Sequence, residues 1–92
     1  MIRLVLAEHV TVDDVDDLVV RLGLLLMNIL RATDAHPTQA IYRTGDRQAL
    51  VYVINDARAP SLILIVQGPG EAAVAAAVRA AVAVAAEEIV SA

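Results

Sequence analysis

The chain has 92 residues, 59% of them hydrophobic, with no cysteine and a formal net charge of −4. That length makes a single domain, residues 1–92, and the absence of cysteine excludes a disulfide framework and a thiolate site. Seven arginines and no lysine stand against eleven acids, and Tyr42 and Tyr52 are the only aromatic rings; the charge surplus and stacking surface that nucleic acids require are missing, so nucleic acid is not an expected partner.

Met1–Ala7 reads as a strand with Ile2, Leu4 and Leu6 on one face and Arg3, Val5 and Ala7 on the other. Thr11 with Asp14 three residues on is a capping-box variant, so a helix is expected to start after Thr11. Val15, Leu18, Val19, Leu22, Leu25, Leu26, Ile29 and Leu30 continue at helical spacing, which carries the expected helix to about Ala32. Val20, Leu24 and Met27 form a second, smaller stripe on its opposite side. Asp34-Ala35-His36-Pro37 is a breaker, because a proline disfavours the helical conformation at the residue before it. Thr38–Arg43 and Gln48–Ile54 are the arms of a hairpin around Thr44-Gly45-Asp46-Arg47, Ser61–Gln67 is a fourth strand, and the Ala/Val-rich segment Glu71–Val90 is a second helix with Val74, Val78, Val82 and Ile89 on its inner stripe. The expectation is an α+β domain, β-α-β-β-β-α, with two helices on one face of a four-stranded mixed sheet.

That arrangement leaves apolar surface without cover. Ala49–Ile54 and Leu62–Val66 are apolar on both faces, unlike a half-exposed strand. A domain this small buries only roughly 60–65% of its unfolded surface, yet its apolar share exceeds the usual ~45–50%. The second sheet face is therefore expected to meet another chain, a second copy or a different protein, with Leu62, Ile63, Leu64, Ile65, Val66, Val51 and Val53 as interface candidates on the strands and Val20, Leu24 and Met27 on the helix. Met1–Ala7 is too short an apolar run for a signal peptide and Arg79 interrupts the longest Ala/Val stretch. The cytoplasm is the expected compartment, with no membrane partner.

Chemistry is harder to find. Asp13, Asp14, Asp16 and Asp17 would suit the positive end of a helix and have no second ligand cluster to complete a metal site. Glu8 with His9, and His36 in a loop, fall short of a ligand set. Ser61 and Ser91 sit in no nucleophile elbow. Gln67-Gly68-Pro69-Gly70-Glu71 matches no phosphate-binding loop and reads as a strand-to-helix turn. Arg43, Arg47 and Arg58 lie at hairpin ends as solvated loop residues or a small basic patch, and Tyr42 and Tyr52 read as packing residues. No catalytic residue, cofactor or metal is expected.

Ala7-Glu8-His9-Val10-Thr11-Val12 leading into the first helix and Ala76-Ala77-Val78-Arg79-Ala80-Ala81-Val82 in the last, with the element order, resemble the N-terminal domain of the ribosome hibernation-promoting and ribosome-associated inhibitor family. That resemblance implies a ribosome binder acting through basic helices, where this chain has only Arg21, Arg31 and Arg79, so no site residue is carried over. His36-Pro37, Ala40-Ile41-Tyr42-Arg43 and Val53-Ile54-Asn55-Asp56 give the first sixty residues a partial resemblance to the dimeric α+β-barrel family that includes small antibiotic-biosynthesis monooxygenases, which implies two sheets packed face to face and a ligand cavity. The residues themselves point first to a non-enzymatic interaction or assembly module acting as a homodimer or subunit. A small-ligand or monooxygenase-like dimer and a hibernation-factor-like ribosome binder are the alternatives.

Overall fold

The computed structural model describes residues 1–90. Strand β1 (Ile2–Leu6) buries Ile2, Leu4 and Leu6 and leaves Arg3 and Val5 half-buried on its other side. Helix α1 (Val12–Arg21) starts at Thr11 with a reciprocal capping box. The Thr11 hydroxyl accepts from the Asp14 N–H at 3.2 Å, and the Asp14 carboxylate accepts from the Thr11 N–H at 2.9 Å.

The helix stops at Arg21, eleven residues before the periodicity suggests. Gly23 takes a left-handed φ of 65°, and the Gly23 and Leu24 N–H groups bond back to Val20 O at 3.1 Å and Val19 O at 3.0 Å. This pair of bonds closes a helix at a glycine and turns the next residue inward; Leu24 is buried. Leu25–Leu30 is then strand β2, so Val20, Leu24 and Met27 do not share a helix face. Strands β3 (Thr38–Arg43) and β4 (Leu50–Asn55) form the expected hairpin, and β5 (Ile63–Gln67) follows. Helix α2 (Glu71–Ala81) is shorter than expected: Val82 is extended at φ −136°, and Val84–Ile89 forms a sixth strand, β6.

The sheet is therefore six-stranded, in the order β2-β3-β4-β5-β1-β6. Every pairing is antiparallel, which corrects the four-stranded mixed sheet. The reason lies at β1. A strand with three buried side chains would leave main-chain groups without partners along any open edge. β5 satisfies one edge and β6 the other, and this non-local pairing outweighs the helix propensity of alanine.

Two crossovers are thereby interleaved. β1 and β2 run parallel with three strands between them and are joined by α1. β5 and β6 run parallel on either side of β1 and are joined by α2. Val15 and Leu18 of α1 and Ala75 and Val78 of α2 enter one core with Ile2, Leu4, Leu6, Val51, Leu62, Leu64 and Val66. Both helices thus lie on the same side of the sheet.

Gly68, at φ 135°, anchors the turn into α2 against the β3–β4 hairpin. A Cβ there would stand 2.5 Å from Gln48 O, and the Gly70 N–H donates to that same oxygen at 2.8 Å. Gly68→Ala is expected to lower unfolding stability by about 2 kcal/mol or more, through strain and backbone displacement. Gly45→Ala, with open space around it, should change stability by less than about 0.5 kcal/mol; urea denaturation of both variants checks the contrast.

Candidate interaction surface

Strand alternation divides the apolar residues between two faces, and the cross-strand register orders the helix-free one in rows. One row runs Ala86, Val5, Ile63, Ile54, Gln39, Leu30. The next runs Glu88, Arg3, Ile65, Tyr52, Ile41, Asn28. A third runs Gln67, Leu50, Arg43, Leu25. Val5, Ile63, Ile54, Ile65, Tyr52 and Ile41 occupy the middle, none of them fully buried. Arg3, Glu88, Gln67, Arg43, Gln39 and Asn28 lie at their margin, interspersed with Ala86, Leu50, Leu25 and Leu30. The face thus has an apolar centre and a margin of mixed polar and apolar residues.

The interface candidates separate along this division. Ile63 and Ile65 lie on the helix-free face. Leu62, Leu64, Val66 and Val51 are buried under the helices, and Val53 packs against the same core. Leu24 is buried, whereas Val20 and Met27 are exposed at 80% and 57%. Met27 lies at the break in the β2–β3 register and borders a hollow of about 330 Å³ with Arg43, Arg47, Ala49 and Leu50. Tyr52, Ile41, Ile54 and Val5 complete the surface centre; only the pairing register assigns them to it, although the double-faced apolar pattern of Ala49–Ile54 was the signal.

The chemically interesting residues are scattered. Asp14 is committed to the helix cap, and the hydrogen bonds from Thr11 hold its carboxyl below the usual value. Among the described residues no group of three or more His, Asp or Glu is placed to hold a metal ion. His9 borders a polar hollow of about 290 Å³ with Asp14, Asp17 and Arg21, whereas His36 lies in another with Asp34, Asp56 and Arg58. Arg58 pairs with Asp56 at 3.3 Å, away from Arg43 and Arg47, so the three arginines make no common patch. Arg47 closes the hairpin turn at φ 61°, where Thr44 accepts from the Gln48 and Ala49 N–H groups at 3.0 and 3.2 Å. Ser61 is half-buried beside β5, and Ser91 lies outside the described residues.

Tyr42 and Tyr52 are on opposite faces of the sheet, so they and His9 do not line one cavity. Tyr42 lies in a small cleft of about 120 Å³ between α1 and the sheet. Burial pushes its hydroxyl pKa up, and Asp16 adds to the effect. No helix is long and apolar enough to cross a membrane among the described residues. Compared with protein-family models, with curated proteins and with solved structures, the chain gives no match.

The cap carries a pH signature. A carboxyl whose folded pKa lies below its unfolded value stabilises the fold above the unfolded value, and that stabilisation is lost as pH falls through the folded one. For Asp14 the loss lies below the ordinary 3.8. Thr11→Ala should cost about 0.5–2 kcal/mol at neutral pH. It should also shrink the stability difference between pH 6 and pH 3, as measured by thermal melts at both.

Proposed function

We propose that the protein is a non-enzymatic assembly module that forms a homodimer by packing the helix-free faces of two sheets together. The observation that carries this reading is the uncovered apolar centre of Val5, Ile63, Ile65, Tyr52, Ile54 and Ile41 within its mixed margin. Size supports it as well. Six strands about 4.8 Å apart and about 17 Å long make a face of about 500 Å². Two such faces bury about 1,000 Å², where specific interfaces begin. Sheets packed in this way interdigitate their side chains across about 10 Å, and the branched side chains of Ile63, Ile65, Ile54 and Ile41 suit that packing.

A second copy fits this face better than an aqueous ligand does. The centre offers Tyr52 as its only polar side chain, and ligand sites need several convergent polar groups to orient what they bind. The acidic hollow at His9 and the loop hollow at His36 lie at other parts of the molecule.

Solution mass tests the reading. Light scattering at micromolar concentration is expected to give twice the 9.7 kDa chain mass. Ile65→Asp, and separately Ile63→Asp, should shift the mass to that of one chain with the circular dichroism spectrum retained. A carboxylate at the centre of a dry interface costs a few kcal/mol, about a hundredfold or more in dimer affinity. A wild-type monomer, or a dimer that tolerates both substitutions, ends the proposal.

A further inference from the structure

The helix side of the sheet is also incompletely covered. A helix with side chains is about 10 Å across, and six strands span about 29 Å, so two helices leave about one helix width bare. α2 lies over β1 and β5. Val12, Val15 and Asp16 of α1 face Thr38, Ala40 and Tyr42 of β3 and Val53 and Asn55 of β4 across a cleft of about 120 Å³. The bare strip is therefore over β2 and the outer side of β3, where the helix-side rows end in Tyr42–Leu26 and Ala40–Ile29. Leu26 and Ile29 are exposed at 53% and 51%.

The strip has a wall. Val12 and Asp16 are spaced four apart and so are neighbours on one flank of α1. Both border the cleft beside Tyr42, whereas Val20, two residues after the buried Leu18, points away from the sheet and is exposed. Leu26 and Ile29 extend the sheet floor of this cleft outward over β2, and the slot is the cleft together with that strip; Asp16 is the only charged side chain lining the cleft. Its length suits a helix: β2 runs for about 20 Å, and a helix of about 14 residues spans about 21 Å.

Strand addition at the β2 edge is the competing mode, and the edge is guarded against it. The register breaks between Leu26 and Asn28, and the Asn28 side-chain oxygen takes the Ile29 N–H at 2.9 Å. A bulge and an occupied donor both hinder an incoming strand.

We propose that this slot receives an amphipathic helix of a partner protein, with apolar residues against Leu26, Ile29 and Tyr42 and a basic flank facing Asp16. The partner's charge follows from the slot. Asp16 is the single charge lining the cleft, and Arg21 falls on the opposite flank of α1, beside Asp14 and Asp17. The surface is separate from the helix-free face and does not depend on the dimer; if the dimer forms, each assembly presents two slots.

The probe is a fluorescent synthetic helix of about 18 residues, with leucines at positions i, i+3, i+4 and i+7 and arginines on its flanks, beside a twin with glutamate in place of every arginine. The full chain is titrated with each, and amide shifts are followed by NMR. The arginine helix is expected to bind, weaken with salt and shift Leu26, Ile29, Ala40 and Tyr42. Leu26→Asp with Ile29→Asp should weaken it at least about tenfold. The exposed substitution Asp16→Lys, which leaves the apolar slot intact, should reverse the preference between the twins. Solution mass should not change in either variant. Equal binding of the twins, no binding of either up to millimolar concentration, or shifts confined to Ile63, Ile65 and Tyr52 would overturn the assignment. So would loss of the dimer in the Leu26/Ile29 variant, which would make a second copy the occupant of the slot.

Discussion

The pairing of β1 on both of its edges is the constraint on which the remaining architecture depends. β1 carries Leu4 and Leu6 at 0% exposure, and a strand so deep in the core has no water to satisfy its main chain. β5 and β6 supply the partners from the other end of the chain. That requirement converts Val84–Ile89 into a strand, limits α2 to the crossover between β5 and β6, and brings the Met1 ammonium within 2.8 Å of Glu71. The ammonium in turn holds the Glu71 carboxyl below its ordinary value, chiefly through their hydrogen bond. Arg79 of α2 and Glu87 of β6 pair across the same junction.

With both crossovers on one side, the sheet acquires two unlike faces. One is packed by Val15, Leu18, Ala75 and Val78. The other has an apolar centre and a mixed margin that includes Arg3, Glu88, Arg43 and Gln39 but no layer above it. Two helices are also too few to cover six strands, and the shortage falls at β2, whose helix-side Leu26 and Ile29 are exposed. The 59% hydrophobic composition is thus divided between a small core and two uncovered surfaces. The titratable residues are dispersed among caps, turns and surface hollows.

Legibility in the sequence follows the range of the interaction responsible. The β1 alternation, the Thr11–Asp14 cap and the hairpin around Thr44–Arg47 depend on residues a few positions apart, and each is readable from its own segment. Gly23 was also readable, as a glycine directly after a helical stripe, but the apolar spacing running past it to Leu30 masked the stop. The apolar centre of the helix-free face is visible in the sequence only in outline: Ala49–Ile54 and Leu62–Val66 announce doubly apolar strands, whereas the assignment of Ile65 and Tyr52 outward and Leu64 and Val51 inward needs the register.

By itself, then, the sequence determined the α+β class, the local caps and turns, and an excess of apolar side chains beyond what one small core can hold. The tertiary structure alone decided that Leu25–Leu30 and Val84–Ile89 are strands, how six strands are ordered, and which side of each is left open. The physical reason is that helix and strand propensities differ by at most about 1 kcal/mol per residue, so in Ala/Val and Leu-rich segments a distant strand edge with unsatisfied N–H and C=O groups outweighs them.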